Sequence, residues 1–246
     1  MKKLIMRIPY SWLKDHIDLR ISPQRLANRL TMSGLEVEEM IDCDGDPILE
    51  INVTPNRGDC LSVLGLAREV AALTGQPLKK PAAKTRKKPA EYQKTKEYSF
   101  NAAIKNASLV PRYMAQVIAD VKIGPSPSWM VRRLEMVGLR SVNNVVDATN
   151  YVLLEFGQPL HAFDYEKLAG NVLTARPAKR GETIKTLDGK EHQLMSQDIV
   201  IADAKKSVAL GGVMGGENTE VTSQTRHLVI ESAFLIQWLF EKPVSD

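Results

Sequence analysis

Polar residues suited to holding a small molecule crowd around one short apolar run, residues 147–164, DATNYVLLEFGQPLHAFD. The run contains Thr149 and Asn150, whose neutral side chains both donate and accept hydrogen bonds. Near its end is a lone histidine, His161, which follows the rigid ring of Pro159. This crowding predicts one wall of a pocket for a small polar ligand.

Two later segments predict further parts of that pocket. Residues 210–218, LGGVMGGEN, double glycine twice, so the backbone there could turn tightly or approach a ligand closely. Residues 228–234, LVIESAF, place Glu231 inside an apolar, strand-like run. From the residues alone, structural roles stay open. The glycines and the Thr-Asn pair suit turns, the histidine suits a hydrogen-bonded spacer, and the glutamate suits an exposed or helix-paired position.

Several familiar chemistries lack their motifs. The sequence contains no P-loop, no H-E-x-x-H, no G-x-S-x-G and no G-x-G-x-x-G after a predicted strand. Cys43 and Cys60 lack C-x-x-C spacing and clustered histidines, which indicates buried thiols rather than a disulfide framework or a zinc site. We therefore expect no metal and no cofactor. What remains is a site of hydrogen-bonding groups and glycines, suited to holding a polar molecule while water reacts with it.

The basic charge of the chain is concentrated in one segment. The 246 residues carry a formal net charge of +4, and residues 79–96 combine basic side chains with interleaved prolines and almost nothing apolar. This composition predicts an exposed linker, for which a solvated tether is the simpler interpretation. A phosphate-binding arm that contacts nucleic acid is the alternative. Its candidate contacts are Lys79, Lys80, Lys84, Arg86, Lys87 and Lys88.

The start of the chain predicts neither export nor membrane insertion. Arg7 breaks the apolar run in MKKLIMRIPYSW before it could form a signal-peptide core, and no span approaches membrane length. A hydrophobic fraction of 43% with 25% charged residues is ordinary for a folded globular protein. We expect a cytoplasmic protein that does not bind a membrane.

Helix and hairpin signals predict a small α+β domain over residues 1–78. A Ser-Pro pair at 22–23 opens the first helix, and Gly34 follows its end. Asp59 is the predicted cap of a second helix, which Gly75 closes. The predicted elements are a helix over 22–33, a hairpin of strands 35–41 and 48–54, and a helix over 59–74.

Short β-prone runs predict a larger, β-rich α+β domain over residues 98–238, after the basic linker at 79–97. A helix is predicted over 126–138 and a hairpin turn at 188–190. Residues 239–246 form a tail. The predicted fold class is therefore α+β throughout, in two domains. The predicted strands of the larger domain are 112–121, 172–175, 183–187, 199–202, 208–210 and 227–230.

Five segments, in this order along the chain, carry a resemblance to a known family. They are TPNRGDCLSVLGLAREVAALTG, RYMAQVI, SWMVRRLEMVGLRSVNNVVDATNYVLLEFGQPLHAFD, ALGGVMGGENTEV and LVIESAFL. With these motifs, nearly all of residues 8–235 resembles the N-terminal third of the bacterial phenylalanyl-tRNA synthetase beta subunit. The segments are long, so each is far more specific than a short pattern.

The resemblance implies that the second domain is an editing domain, which in that family hydrolyses tyrosine wrongly attached to phenylalanine tRNA. Glu231 matches the family's glutamate, whose carboxylate can accept a hydrogen bond from the tyrosine hydroxyl and would stay unpaired with phenylalanine. His161 matches the histidine of the family's Q-P-x-H-A-F-D segment, beside the scissile ester. There it would orient water or the terminal ribose in preference to acting as a general base.

Other residues gain substrate-binding roles from the same resemblance. Thr149 and Asn150 would grip the ammonium group and backbone of the amino acid, and Pro159 would rigidify the wall. Gly211 and Gly212 would let the backbone approach the ligand. Hydrolysis would then proceed by positioned water, without a covalent intermediate or a metal. The implied partner is tRNA(Phe) that carries tyrosine.

The sequence also departs from the family pattern. A tRNA-binding domain is usually inserted where this chain has only Cys43 to Pro47, and further domains follow in the family where this chain ends in LIQWLFEKPVSD. The family places ATP, phenylalanine and magnesium on its alpha subunit, so we expect no aminoacylation site here. Association with an alpha subunit is in doubt without the later domains.

Three hypotheses follow from the match and its departures. The first is an editing hydrolase that removes tyrosine from tRNA(Phe) in trans, with the basic linker in place of the missing tRNA-binding domain. The second is a module that binds RNA or an aromatic amino acid without turnover. The third is a truncated relic of a beta chain.

Overall fold

The computed structural model describes residues 3–79 and 98–236, and the chain divides into two compact units. The described part of the first unit consists of residues 3–79 and 125–158, and that of the second unit of residues 98–124 and 159–236. The chain has the predicted α+β class, with helices and several sheets. Within the described residues, no helix is long and apolar enough to cross a membrane.

The sheet of the first unit has three antiparallel strands in the order β1-β3-β2. They are β1 (Leu4–Pro9), β2 (Glu36–Cys43) and β3 (Asp46–Val53). β2 and β3 form the predicted hairpin, which turns through Asp44 and Gly45 with φ angles of 52° and 80°. The left-handed region is accessible to aspartate and glycine, so these residues suit the turn.

Five α-helices complete the described part of the first unit, and side chains cap the starts of three of them. Ser22 caps the second helix, as predicted, and Gly75, with a φ of 71°, follows the third. The third helix begins at Val63 and not at Asp59, because the hydroxyl of Ser62 caps it by accepting a hydrogen bond from the backbone N–H of Gly65. The predicted cap at Asp59 was therefore wrong. The helices are α1 (Tyr10–His16), α2 (Pro23–Met32), α3 (Val63–Thr74), α4 (Ser128–Met136) and α5 (Asn144–Phe156).

Aromatic packing shows why residues 125–158 belong to the first unit. Trp12 of α1 is fully buried and stacks on Tyr151 of α5, with ring centroids 4.9 Å apart. Both rings lie in one apolar core with the sheet. The compact units therefore do not follow the contiguous division predicted from the sequence, 1–78 and 98–238, since this stretch folds with the N-terminal part.

The second unit is built almost wholly from strands. β5 and the last strand overlap the predicted strands at 112–121 and 227–230, and the predicted turn at Gly189 joins a short hairpin. The strands are β4 (Asn101–Ile104), β5 (Arg112–Ile118), β6 (His161–Asp164), β7 (Val172–Pro177), β8 (Thr183–Lys185), β9 (Glu191–Gln193), β10 (Ile199–Ala202), β11 (Ser207–Leu210), β12 (Met214–Gly215) and β13 (Leu228–Phe234).

Two of its sheets share one apolar core. The larger sheet has the order β12-β11-β10-β7-β4, with β4 parallel to β7, and the smaller has the antiparallel order β5-β13-β6. Phe163 and Val229 from the smaller sheet join Leu173 and Ile201 from the larger one in a single buried cluster. The inner face of β5-β13-β6 is therefore the face that carries Val229, together with the residues two positions along each strand.

Candidate functional site

The structure places the predicted site residues in two different units. Thr149 and Asn150 lie on α5 of the first unit, whereas Pro159, His161 and Glu231 belong to the second. The two predicted glycines, at 211 and 212, also belong to the second unit. The predicted set is thus divided between the two compact units.

Glu231 lies at the centre of the smaller sheet of the second unit. In β13 it is directly opposite Ala115 of β5 on one side and His161 of β6 on the other. Directly opposite residues in an antiparallel pair point to the same face, and this face is the inner one, because Val229 is two positions away. Glu231 is 9% exposed, so its carboxyl group is nearly removed from water.

Tyr113 provides the hydrogen bond that Glu231 receives. Its hydroxyl donates to Glu231 Oε2 across 2.5 Å, and no other described group donates to this carboxyl. Tyr113 is two residues from Ala115 on β5, so it shares the inner face, and it is buried in the core. Tyr113 was not predicted from the sequence as a site residue. The alternation of side-chain types in RYMAQVI predicts a strand, but it does not show which strand lies beside β5.

Burial controls the charge of this pair. Removal from water raises the pKa of Glu231 to about 7, and the hydrogen bond from Tyr113 opposes that rise only partly. Burial, followed by the charge of Glu231, raises the pKa of Tyr113 far above its ordinary range. Tyr113 is therefore a neutral phenol that donates, while Glu231 changes between acid and carboxylate near neutral pH.

His161 presents a neutral imidazole on the same face. Burial lowers the pKa of His161 to about 4, so the ring carries no charge at neutral pH. The ring meets Phe163 edge to face, with centroids 4.6 Å apart. Among the described residues, no group forms a hydrogen bond with its two nitrogens. One nitrogen of a neutral imidazole donates and the other accepts, so the ring can hold both a water and a ligand group.

Gly215 of β12 makes room for this ring. A Cβ atom at position 215 would lie 2.3 Å from His161 Cε1 and 2.4 Å from His161 Nε2, which is closer than carbon atoms approach. Glycine is therefore required here by the ring itself. Gly215 is one of the doubled glycines in residues 210–218, but it was not predicted to be a site residue.

The backbone conformation explains why the two predicted site glycines, Gly211 and Gly212, are glycines. The N–H of Gly211 donates to the carbonyl of Ile199 across 2.7 Å, and a Cβ there would lie 3.0 Å from that oxygen. Gly212 has a φ of 72°, in the left-handed region. Their role in binding a ligand stays a prediction. Pro159 is exposed and precedes β6 by two residues.

In the first unit, Thr149 and Asn150 are half-buried in the middle of α5. The Thr149 hydroxyl donates to the carbonyl of Val146 across 2.8 Å, a bond within the helix that leaves its oxygen able to accept. These residues are therefore not turn formers, which was the structural role left open from the sequence. Their binding role stays a prediction.

The candidate phosphate contacts fall mostly outside the described residues. Lys79 is described, and its backbone N–H donates to the carbonyl of His16 while its ammonium group donates to the carbonyl of Lys14. Lys80, Lys84, Arg86, Lys87 and Lys88 lie outside the described residues, as does the tail at 239–246. In the described ranges, no cluster of three or more His, Cys, Asp or Glu side chains could hold a metal ion.

Comparison with known proteins shows which family the chain resembles. Residues 109–238 match the family model described as the B3/4 domain. The phenylalanine–tRNA ligase beta subunit of Carboxydothermus hydrogenoformans is 50% identical over 201 residues, which cover 82% of this chain and 24% of that protein. The beta subunit of Rhodopirellula baltica is 43% identical over 231 residues, which cover 93% of this chain and 33% of that protein.

The chain thus spans about a quarter to a third of the length of the curated relatives it matches. Among solved structures, an N-terminal fragment of the phenylalanyl-tRNA synthetase beta subunit from Pyrococcus horikoshii is similar with a TM-score of 0.46 and 14% identity. That similarity covers 96% of this chain and 70% of the fragment.

Proposed function

The chain belongs to the B3/4 domain family, and we propose that it is an editing hydrolase that removes tyrosine from mischarged tRNA(Phe). The relatives named above are beta subunits of phenylalanine–tRNA ligases. An enzyme that joins phenylalanine to a tRNA must separate it from tyrosine, which differs by one hydroxyl. A first site that accepts phenylalanine cannot strongly reject a molecule that merely adds a hydroxyl, so a second site that reads the hydroxyl completes the selection.

One observation carries this proposal: Glu231 is buried and already accepts a hydrogen bond from a phenol. Glu231 is 9% exposed, and the described partner of its carboxyl group is the hydroxyl of Tyr113. A second phenol, that of a bound tyrosine, could donate to the other carboxyl oxygen in the same way. Phenylalanine offers no such donor and would leave that oxygen dry and unpaired, which costs about 1–3 kcal/mol.

His161 is the candidate for placing the water. Attack of that water on the ester carbonyl would break the bond to the terminal ribose, releasing tyrosine and the free ribose hydroxyl. With a pKa of about 4, the imidazole of His161 is a weak base at neutral pH, so orientation of the water or of the ribose suits it better than proton abstraction. Glu231 and His161 are directly opposite each other in neighbouring strands, so one ligand could meet both.

Further parts of the proposal rest on the resemblance. Thr149 and Asn150 would hold the ammonium group and backbone of the amino acid, and Pro159 would line the pocket, together with Gly211 and Gly212. The partner would be tRNA(Phe), and the basic residues from Lys79 onward would contact its phosphates. Association with a synthetase alpha subunit would be a property of a full-length beta subunit, and we do not propose it for this part alone. We propose no aminoacylation by this chain.

Deacylation of two charged tRNAs tests the proposal. Purified tRNA(Phe) is charged with tyrosine or with phenylalanine and incubated with the full chain. We expect the tyrosyl ester to be hydrolysed and the phenylalanyl ester to persist. Glu231→Gln keeps the shape of the side chain but cannot supply a carboxylate, so tyrosyl hydrolysis should fall by about 10- to 100-fold. Glu191→Gln, on the exposed surface of β9, is the matched control and should hydrolyse normally.

Two results would contradict the proposal. Equal hydrolysis of both esters would show that the hydroxyl is not read. Persistence of both esters in the presence of folded protein would remove the hydrolase and favour the alternative of a binding module, for which the uncharged, weakly basic His161 is the supporting observation.

A further inference from the structure

Tyr113 holds one of the two carboxyl oxygens of Glu231 while no ligand is present. Its hydroxyl donates to Oε2, and among the described residues nothing donates to Oε1. A carboxylate can accept at both oxygens, so the protein engages one oxygen of Glu231 and leaves the other without a described donor. The engaged oxygen accepts from a phenol, the same group that distinguishes tyrosine from phenylalanine.

The position of Tyr113 is fixed by packing. It is 8% exposed and belongs to the apolar cluster that contains Phe163 and Val229, so its ring cannot turn its hydroxyl to water. It lies in β5, which pairs with β13 along seven residue pairs that include the one at Glu231. A hydroxyl held in this way fixes the orientation of the carboxyl group that it contacts.

We propose that Tyr113 is a specificity-determining positioning residue, whose hydroxyl occupies Glu231 Oε2 so that Oε1 is presented to the phenol of a bound tyrosine. This inference rests on the proposed function and names how that site reads the hydroxyl. Without Tyr113, the buried carboxyl would have no described donor, and it could rotate or keep its proton. Either change replaces a fixed acceptor by a group that no longer separates tyrosine from phenylalanine.

The charge of Glu231 provides a second readout. The titratable groups that face it from the adjoining strands are Tyr113 in β5 and His161 in β6, and His161 is neutral above about pH 5 because its pKa is about 4. The hydrogen bond from Tyr113 lowers the pKa of Glu231 against the effect of burial. Removal of that bond would therefore move the ionisation of Glu231 to higher pH.

Binding of free amino acids to the full chain tests the inference. The probes are L-tyrosine and L-phenylalanine, and their affinities are measured by calorimetry between pH 5.5 and 9. In Tyr113→Phe we expect the preference for tyrosine to fall about tenfold, and the pH midpoint of tyrosine binding to rise. Tyr165→Phe is the matched control. The Tyr165 ring packs against Tyr98 in the same unit, and the hydroxyl of Tyr165 has no described hydrogen bond, so both quantities should stay as in the wild type.

An unchanged preference and midpoint in Tyr113→Phe would overturn the inference. If that variant does not fold, wild-type protein with ¹³Cζ-labelled tyrosine decides. A Tyr113 signal that keeps its hydrogen-bonded shift when L-tyrosine binds supports the inference, and displacement of the Tyr113 hydroxyl overturns it. A wild type that binds tyrosine selectively but leaves tyrosyl-tRNA intact removes the hydrolase and keeps the role of Tyr113. A wild type without any preference for tyrosine overturns the inference as well.

Discussion

Two buried carboxylates, Asp147 in the first unit and Glu231 in the second, are held in opposite ways. Asp147 is 0% exposed and accepts three hydrogen bonds, from the hydroxyls of Ser126 and Ser141 and from the backbone N–H of Val142. Glu231 is 9% exposed and accepts one, from a tyrosine hydroxyl. The first carboxylate is saturated in the sense that both of its oxygens accept from its own unit, whereas only one oxygen of the second has a described donor.

The number of donors decides the charge of each group. Burial raises the pKa of Asp147, but its three donors outweigh burial and bring that pKa below its ordinary value. At Glu231 the single donor does not outweigh burial, and the pKa rises to about 7. The proposed reading of a ligand hydroxyl requires an oxygen without a protein donor, and Glu231 has such an oxygen among the described groups, whereas both oxygens of Asp147 accept from the protein.

The largest expected effect is at the saturated carboxylate. Asp147→Ala would leave two hydroxyls and one backbone N–H without their acceptor at the start of α5. We expect the free energy of unfolding to fall by roughly 3–5 kcal/mol, measured by urea denaturation at pH 7. The control is Glu135→Ala, an exposed position on α4 of the same unit, which should change stability by less than about 0.5 kcal/mol.

A loss at Asp147→Ala no greater than that at Glu135→Ala would break the comparison, since it would mean that saturation by three donors does not stabilise the unit. A large loss at Asp147→Ala with retained selectivity for tyrosine in binding would instead sharpen it, because the two carboxylates would then serve separate purposes.

The next effect concerns pH, and its sign is opposite for the two groups. The pKa of Glu231 is raised on folding, from about 4.5 to about 7, so its contribution to stability is present below pH 4.5 and is lost as the pH rises to 7. Glu231→Gln cannot ionise and escapes this loss. Relative to wild type, its free energy of unfolding should therefore rise by on the order of 2 kcal/mol between pH 5 and pH 8.

Asp147 has a lowered pKa, so its contribution is present above the ordinary aspartate value and is lost as the pH falls. Urea denaturation of wild type, Glu231→Gln and the surface control Glu191→Gln at both pH values measures the difference. A constant gap between wild type and Glu231→Gln would mean that Glu231 ionises as freely in the folded chain as in the unfolded chain.

Local sequence signals predicted the elements well where a short segment determines its own shape. The hairpin of β2 and β3, the Ser22 cap and the glycine after α3 each depend on residues within a few positions, and each was predicted. The third helix was placed four residues too early, because Ser62 competes with Asp59 for the cap. Helix α5 was not among the predicted helices, although Asn143 caps its start and Gly157 follows its end.

The site itself could be predicted only in part. The apolar flanks and the family resemblance pointed to Glu231, but its partner Tyr113 is 118 residues away in the sequence. Which strand adjoins β13 depends on packing of the whole unit, and no local pattern encodes that choice. The same holds for Gly215, whose need to be glycine arises from the ring of His161 in a different sheet.

The smallest effect on stability is expected at Gly215, beside His161 in the second unit. The Asp147 cluster is destabilised when an acceptor is removed, whereas the His161 ring is displaced when a Cβ atom is added at Gly215. Gly215→Ala would force the imidazole to move, at a cost of about 1–2 kcal/mol in unfolding free energy. A shift of about 1 Å at that ring should lower tyrosyl-tRNA hydrolysis by on the order of 10²-fold while leaving tyrosine selectivity at Glu231 largely intact.

Gly124→Ala is the control, since a Cβ there meets nothing within 4 Å. Normal hydrolysis by Gly215→Ala would mean that the ring of His161 needs no fixed position, and the hydrolytic role would then lie elsewhere on the inner face.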